Sequence, residues 1–422
     1  MSYLDKLLEG VQVEWKTLGE VADISNIGVD KKINPNEKVV RLLNFVDVFK
    51  NQYITNDTPT MLVSASDRKI IDCNIKKGDV FITPSSELID EIGFSAMALE
   101  DFDNAVYSYH IMRLRIVDNN ILLPAFLNYL FTSADVRKQI LLKAQGITRY
   151  GLTQPNWKSI PIPIPPLPVQ AEIVRILDTF TELTAELTAE LTAELTARKK
   201  QYNYYREALL SFEDGDVEWK TFGEVGELVR GNGLPKSDFT ENGIPAIHYG
   251  QIYTYYKTFT TETKSFVSSE TAKKLSKVNH GDVVITNTSE NLEDVGKSVV
   301  YLGNAQAVTG GHATIFKPSK RITGKFFAYF TQTEMFASHK RKYAKGTKVI
   351  DVSAKDMAKI VIPIPSLDEQ ARIVSILDKF DILTTSISEG LPKEIELRKK
   401  QYEYYRDLLL TFSKSIGADL RV

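Results

Sequence analysis

Two long stretches of the chain repeat apolar residues at helical spacing. The first runs from Ile173 to Phe212 and predicts one amphipathic helix of about 40 residues and about 60 Å. The second runs from Ile373 through Ile387 to Tyr405, and the turn at 390–392 (GLP) should break or kink it. A helix this long cannot bury its apolar stripe alone. We therefore predict that the two stretches pair as an antiparallel coiled coil.

The regions before the long stretches have a different pattern, in which short apolar or alternating runs lie between clusters of Gly, Asn and Asp. Such runs are typical of strands, and two longer amphipathic runs predict helices. A proline-rich segment ends each region, and its missing N–H groups allow only an edge strand or an extended linker. The predicted strands are 39–48, 79–83, 110–117, 160–166, 282–286 and 360–365, and the predicted helices are 124–132 and 324–338.

The chain contains an internal repeat. The segment 13–21 (VEWKTLGEV) recurs as 217–225 (VEWKTFGEV), and 198–206 (RKKQYNYYR) recurs as 398–406 (RKKQYEYYR). Between these matching segments the two copies diverge, whereas neutral drift after a duplication would change all segments to a similar extent. We therefore predict an α/β (α+β) fold with a pseudo-two-fold repeat, in which the coiled coil separates two β-rich globular domains. The predicted segments are 1–160 and 216–360 for the globular domains, and 161–215 and 361–422 for the helical spacers.

The first long helix includes a tetrapeptide repeat, because 183–197 reads LTAELTAELTAELTA. Ala, Glu and Leu favour helix and Thr is tolerated, so each unit adds about 6 Å of helix and a rotation of about 40°. The stretch between Phe380 and Arg398 has the same length as that between Phe180 and Arg198 but no repeat. The run is either a spacer that sets a distance or low-complexity sequence without a role. The candidate spacer residues are Leu183, Leu187, Leu191 and Leu195.

Composition limits the classes of protein to which the chain can belong. Its 422 residues are 43% hydrophobic and 25% charged, and no apolar run is long enough for a transmembrane helix. The first residues lack the pattern of a signal peptide, so we expect none. A single cysteine, Cys73, excludes an internal disulfide and fits a reducing, cytoplasmic compartment. Since the net charge is −2, any nucleic-acid contact needs a local cluster of positive charge.

The sequence lacks the common catalytic motifs. It has no phosphate-binding loop, no dinucleotide fingerprint, no HExxH, no GxSxG and no Asn-Pro-Pro-aromatic methyltransferase motif. The histidines have no metal-ligand spacing. His110 and His312 occupy the same position in the two copies, which predicts a contact shared by both folds. We expect no catalytic residue, no metal ion and no cofactor bound by this chain.

Basic residues cluster at the same place in both globular regions. The segments 135–150 and 335–350 each end in a loop that contains a glycine, and the second carries five cations and no acid. Polar loops also follow the two Gly-Asp-Val strands at 78–80 and 281–283. These segments are either nucleic-acid contacts or solvated surface, and their recurrence favours DNA. The candidate DNA-binding residues are Ser85, Ser86, Lys143, Arg149, Tyr150, Asn287, Thr288, Ser289, Lys340, Arg341, Lys342, Lys345 and Lys348.

Two divergent globular regions, each followed by an IPIP segment (162–165 and 362–365) and a long helix, resemble the specificity (S) subunits of type I restriction-modification systems. The family pattern continues with Glu-Gln, which the second copy keeps at Glu369-Gln370. The first copy has Val169-Gln170 instead. The TAEL run resembles the spacer repeats of the IC subfamily. The resemblance covers essentially the whole chain.

The resemblance implies a function without catalysis by this chain. Each globular domain would be a target-recognition domain that reads one half of a bipartite DNA sequence, and the helices would set the spacing between the halves. Two methyltransferase (M) subunits would dock on the helices and bring S-adenosylmethionine. Restriction (R) subunits would add ATP- and magnesium-dependent cleavage. A bacterial or archaeal cytoplasmic location would follow. The alternative is a coiled-coil scaffold that binds proteins and has no DNA specificity.

The near-identical helical segments suit two copies of one partner, since each presents the same residues. Three tyrosines in four positions cannot all face one coiled-coil seam, so each is either core or interface. The candidate methyltransferase-subunit contacts are Arg198, Tyr202, Tyr205, Arg398, Tyr402 and Tyr405.

Overall fold

The chain folds into two units, and the first unit combines two segments that are far apart in the sequence. The computed structural model describes residues 7–213, 215–385 and 389–412. The first unit comprises Met1–Leu187 and Arg398–Val422, and the second comprises Thr188–Leu397. Each unit therefore contains one β-rich globule and parts of both long helical regions, so the predicted segment boundaries remain predictions. None of the helices in the described part of the chain is long and apolar enough to cross a membrane.

The first globule is built on a five-stranded sheet of order β2-β10-β6-β8-β4, beside a three-stranded sheet of order β5-β3-β9. Two pairs, β1-β12 and β7-β11, complete it. Its strands are β1 Glu14–Thr17, β2 Ala22–Ser25, β3 Lys38–Leu43, β4 Tyr53–Ile54, β5 Met61–Ala65, β6 Val80–Ile82, β7 Ser85–Ser86, β8 Ser95–Ala98, β9 Ala105–Tyr107, β10 Met112–Ile116, β11 Tyr150–Gly151 and β12 Pro161–Ile164.

The helices of the first globule are short. One of them corrects the predicted strand at 39–48, which ends at Leu43. Asn44 then caps the helix Phe45–Lys50 by accepting from the Val46 N–H, while the Asp47 carboxylate accepts from the Asn44 N–H. The helices are Leu18–Val21, Phe45–Lys50, Asp67–Asp72, Pro124–Leu130, Ala134–Lys143 and Gln154–Lys158, with a 3₁₀ turn at Ile89–Glu91.

The second globule repeats the main sheet in the order β14-β24-β20-β22-β17. A second five-stranded sheet has the order β15-β18-β16-β23-β19, and the pairs β13-β26 and β21-β25 complete the globule. Its strands are β13 Glu218–Thr221, β14 Gly226–Arg230, β15 Phe239–Thr240, β16 Ile244–Ile247, β17 Phe259–Thr260, β18 Ser265–Val267, β19 Ser276–Val278, β20 Val283–Thr286, β21 Thr288–Ser289, β22 Ser298–Tyr301, β23 Ala307–Thr309, β24 Ala313–Pro318, β25 Ile350–Asp351 and β26 Val361–Ile364.

The helix predicted at 324–338 is two helices, which is a correction. The first ends at Phe330, and Thr333 starts the second by accepting from the Phe336 N–H. The helices of the second globule are Phe222–Val225, Tyr249–Thr254, Ser269–Lys274, Gly324–Phe330, Glu334–Tyr343 and Ala354–Met357, with a 3₁₀ turn at Lys236–Asp238.

The proline-rich segments are edge strands, which is one of the two predicted alternatives. Among the residues that the structure describes, β12 pairs only with β1 and β26 only with β13, so each lies in a two-stranded antiparallel sheet. The same register appears in both copies, with Trp15 opposite Pro163 and Trp219 opposite Pro363. The recurrent 13–21 and 217–225 segments therefore hold the entrance to each long helix.

The first long helix is continuous from Leu167 to Leu209, so the TAEL run is helical throughout. The second helical region consists of Leu367–Thr385 and Leu391–Leu410, and Gly390 between them has a φ of 84°, which suits glycine. The predicted break is thus present. Ile387, which the apolar pattern included, lies outside the described residues.

Gln170 and Gln370 join each globule to its helix in the same way. The Gln170 amide donates to the carbonyls of Pro165 and Ile121 and accepts from the Leu123 N–H. The Gln370 amide makes the three matching bonds to Pro365, Arg321 and Thr323. Both side chains are fully buried, so the retained glutamine of the family pattern has a structural role here.

The core of each unit uses residues from both helical regions. Leu409 and Leu410 are buried in the core of the first unit, together with Ile173 and Leu177. In that unit Phe180 packs against Tyr405 and the Thr181 hydroxyl bonds to the Tyr402 hydroxyl, so the two helices run antiparallel. In the second unit Tyr202, Leu210, Ile373 and Leu377 share one core, and Tyr202 and Tyr205 stack on Phe380. The predicted fold class is confirmed.

Candidate nucleic-acid interface

Two segments that are distant in sequence meet in each globule. In the first, β7 pairs with β11, which places Ser86 opposite Tyr150 and Ser85 opposite Gly151. In the second, β21 pairs with β25, which places Thr288 opposite Asp351 and Ser289 opposite Ile350. The polar loops and the basic loops, which we predicted separately as DNA contacts, therefore form one surface in each globule.

A glycine shapes each basic loop. Gln145 and Gly151 exchange two backbone hydrogen bonds, and Lys345 exchanges two with Asp351. Within these closed loops Gly146 has a φ of 143° and Gly346 has a φ of 105°. A Cβ at either glycine would overlap a carbonyl oxygen across the loop, so only glycine fits. The loops between these bridges are exposed in both globules.

Most of the basic candidates reach solvent. Arg149 is exposed, and its Nε donates to the Ser85 hydroxyl at 3.2 Å. Lys345 is exposed but pairs with Asp356 at 3.3 Å, and hydrogen bonds from Lys359, Ser353 and Lys345 lower the pKa of Asp356 to about 2. The other exposed cations are Lys342, Lys348 and Arg341, and Arg341 pairs with Glu334. Lys143 and Tyr150 are half-buried, and the Lys143 Nζ donates to the Ser159 hydroxyl.

Four of the candidate DNA-binding residues are buried, so their side chains are not available to contact DNA. The Ser86 hydroxyl donates to the Glu91 carboxylate at 2.5 Å. The Asn287 side-chain oxygen accepts from the Thr314 hydroxyl at 2.7 Å. Sequence patterns could not show these partners, because they come from other elements. The buried candidates are Ser86, Asn287, Ser289 and Lys340.

Lys340 is a structural cation rather than a surface one. Its ammonium donates to the Val295 carbonyl at 2.6 Å, and burial lowers the pKa of Lys340 to about 8. In the first globule, Arg137 lies one helical turn before the position that matches Lys340. Its guanidinium donates in the same manner to the carbonyls of Ile92 and Asp90. A cation from the helix thus holds the loop after the Gly-Asp-Val strand in both globules.

The two histidines at matching positions lie at this interface, which the sequence did not reveal. His312 is exposed, and its Nδ1 lies 2.9 Å from the Thr288 hydroxyl. His110 packs against Tyr109, and burial together with the cations Lys31 and Arg149 lowers the pKa of His110. The signal that could have found them was their common position beside two divergent loops.

The helical tyrosines divide into inner and outer positions. Tyr202 is buried on Phe380, and Tyr402 and Tyr405 contact the antiparallel helix. Tyr205 also stacks on Phe380 but remains 39% exposed. By contrast Tyr204 and Tyr404, at the same position in the repeat, are 69% and 65% exposed. These two were absent from the predicted contact residues and are the outward aromatic groups of the segments.

The remaining helical candidates lie on the helix surfaces. Arg198 bonds to Glu194 and Gln201, and Arg398 bonds to Gln401, each within its own helix. Along the TAEL run Leu187, Leu191 and Leu195 are half-buried, whereas Leu183 is exposed.

Within residues 7–213, 215–385 and 389–412, no group of three or more His, Cys, Asp or Glu side chains could hold a metal ion. The exposed tyrosines and cations above supply hydrogen-bond donors, positive charge and aromatic rings.

Comparison with known proteins places the chain among restriction proteins. Two curated relatives are aligned along nearly its whole length. The specificity subunit of the type I restriction enzyme EcoR124I/EcoR124II from Escherichia coli is 37% identical over 428 residues, with 98% of each chain covered. A putative type I restriction enzyme specificity subunit from Haemophilus influenzae is 33% identical, with 98% of this chain and 99% of that protein covered.

Solved structures share the fold. A chain from a structure of type I restriction-modification complex assembly has a TM-score of 0.66 and 18% identity, with 96% of this chain and 98% of that chain covered. The HsdS subunit from Thermoanaerobacter tengcongensis has a TM-score of 0.54 and 18% identity, with 94% and 95% covered. Residues 11–197 and 215–397 both match the type I restriction modification DNA specificity domain. The chain therefore belongs to the family of type I restriction-modification specificity subunits.

Proposed function

We propose that this protein is the DNA-specificity subunit of a type I restriction-modification complex, in which each globule binds one half of a bipartite target. The observation that carries the proposal is the pairing of a polar loop with a basic glycine loop in both globules. Hydroxyl groups and cations on one exposed surface can contact bases and phosphates together. Because the globules diverge in sequence, the two halves of the target should differ.

The local charge is suited to a phosphate backbone even though the whole chain is slightly acidic. Lys342, Lys345 and Lys348 lie on or beside one exposed loop of the second globule, and Arg149 lies at the corresponding loop of the first. Lys345 shares its charge with Asp356, so Lys348 is the stronger candidate for a phosphate contact. Each phosphate that a cation neutralises releases counterions from DNA.

The catalytic partners would bind the helices. Each near-identical segment presents an exposed tyrosine, Tyr204 or Tyr404, and two equivalent surfaces suit two copies of one methyltransferase subunit. Methyl transfer would then depend on S-adenosylmethionine held by those subunits, and cleavage on ATP and magnesium held by restriction subunits. This chain would supply DNA specificity and no catalytic residue, in the cytoplasm of a bacterium.

A coiled-coil scaffold without DNA specificity is the rival function. Family membership disfavours it, since the family model that matches both halves describes a DNA specificity domain. The basic loops also disfavour it, because a protein scaffold gives no reason to place matching cations in two divergent globules.

The test is binding of target DNA by the complex of this chain with its methyltransferase subunits. The target is first read from the methylation pattern that the complex leaves on DNA. Arg149→Ala and Lys348→Ala should each weaken binding about tenfold and reduce the slope of log affinity against log salt by about 0.9, the value for one lost phosphate contact. Fluorescence anisotropy over a range of salt concentrations measures both quantities.

Lys320→Ala is the matched control. Lys320 is an exposed lysine beyond the end of β24 that is remote from the glycine loop. It should leave both affinity and salt slope unchanged. Equal salt slopes for the wild type, Lys348→Ala and Arg149→Ala would remove these loops from the interface.

A further inference from the structure

His312 is held in a defined orientation within the candidate interface of the second globule. The ring lies beside that of Tyr249, with 4.8 Å between the centroids, and its Nδ1 is 2.9 Å from the Thr288 hydroxyl oxygen. The side chain is exposed. Thr288 itself is the strand partner of Asp351, where the basic loop closes.

The backbone around His312 is fixed by buried groups. The Asn287 N–H donates to the His312 carbonyl at 2.9 Å, and the Asn287 side chain is held by Thr314. The Val352 N–H in turn donates to the Asn287 carbonyl, which ties the basic segment to the same turn. The imidazole therefore projects from a rigid base rather than from a free loop, as a group that reads DNA requires.

We propose that His312 is a specificity-determining residue that donates a hydrogen bond from Nε2 to the N7 atom of a purine in the major groove. The inference rests on the proposed DNA-binding function. In the proposed arrangement the Thr288 hydroxyl, 2.9 Å from Nδ1, is the donor, which leaves the ring proton on Nε2. Purine N7 is an acceptor that both adenine and guanine present in the major groove. Thr288 is then a positioning residue, since it acts through the ring.

The experiment measures the affinity of the complete complex, with its methyltransferase subunits, for its own target. Each purine of the target is replaced in turn by its 7-deaza analogue, which lacks only the N7 acceptor. For the wild type, the deaza base at one position should lower the affinity about five- to tenfold, the effect of one lost hydrogen bond. His312→Ala should lower affinity for the unmodified target by a similar factor, and the same deaza base should then have no further effect.

Matched variants separate base contact from folding and from the wider function. Thr288→Val keeps the size of the side chain but frees the ring, so it should weaken the response to the same deaza base. His280→Ala replaces an exposed histidine at the other end of β20 and should behave as the wild type. All variants should keep the wild-type affinity for random-sequence DNA at low salt, which shows that the fold and the phosphate contacts are intact.

The outcomes distinguish the two proposals. If His312→Ala binds the target as tightly as the wild type does, His312 makes no contact with N7 and the inference is overturned. The same conclusion follows if the loss of affinity in His312→Ala adds to the loss caused by every deaza base. If the wild-type complex itself prefers no sequence, the proposed function fails instead.

Discussion

The Tyr329 hydroxyl donates a hydrogen bond of 2.7 Å to the Asp378 carboxylate, and thereby ties the second globule to the helix that follows it. Burial and the adjacent carboxylate both raise the pKa of Tyr329, so the phenol stays protonated. The first unit contains the same bond, from Tyr129 to Asp178 at 2.7 Å. The two globules, which differ in sequence, thus share the same tyrosine–aspartate contact with the helix that follows each of them.

Replacement of Tyr329 by phenylalanine should destabilise the second unit. Because the bond is made to a charged acceptor, we expect the free energy of unfolding to fall by about 1.5–3 kcal/mol. Hydrogen exchange of peptides from the second unit, followed in increasing urea, measures the change. Tyr255→Phe is the control, since Tyr255 is exposed, and it should have no effect. Equal protection in Tyr329→Phe and the wild type would contradict a role for this bond.

Periodicity and repetition were enough to predict the frame of the molecule. The apolar spacing from Ile173 to Phe212 predicted the long helix Leu167–Leu209 to within six residues at its start and three at its end. The alternating prolines allowed an edge strand or an extended linker, and β12 and β26 are edge strands. These features are local: they follow from spacing along one segment or from the missing N–H of proline.

Features that depend on distant partners escaped prediction. The strand expected at 39–48 stops because Asn44 and Asp47 form a capping box, which competes with an otherwise apolar run. Ser86 and Asn287 look like surface hydroxyl and amide groups in the sequence, but Glu91 and Thr314 hold them in the interior. The contacts of His312 with Thr288 and Tyr249 could not be predicted, because neither residue is near it in the chain.

The last turn of the helix Leu391–Leu410 should stabilise the first globule. Leu409 and Leu410 are buried in the core of the first unit, whereas Leu408 is 37% exposed. Leu409→Ala should cost about 2–5 kcal/mol, the range for a buried leucine that leaves a cavity, and Leu408→Ala much less. Limited proteolysis should cut the globule at 7–164 faster in Leu409→Ala. Faster cleavage of the second globule instead would contradict the packing.

The exposed tyrosines should control how many methyltransferase subunits bind. If Tyr204 and Tyr404 each anchor one subunit, Tyr204→Ala or Tyr404→Ala alone should give a complex with one methyltransferase subunit, and the double variant should give none. Native mass spectrometry of the purified complexes counts the subunits. Tyr255→Ala removes a tyrosine that is 51% exposed on a globule, and this variant should keep two methyltransferase subunits. Two subunits on the double variant would place the docking surface elsewhere.

The TAEL run should set the gap between the two half-sites. Deletion of residues 188–191 keeps the repeat in phase but removes four residues from a continuous helix, about 6 Å and a net rotation of about 40°. DNA rises about 3.4 Å and turns about 34° per base pair, so the angle favours a gap shorter by one pair. Sequencing of methylated DNA should show both half-sites unchanged and the gap reduced.

The double variant Thr188→Ala with Thr192→Ala is the control, because it keeps the length of the helix. It removes the Thr192 hydroxyl, which donates to the Thr188 carbonyl, and it should leave the gap between the half-sites unchanged. An unaltered gap after the deletion would mean that helix length does not set the distance.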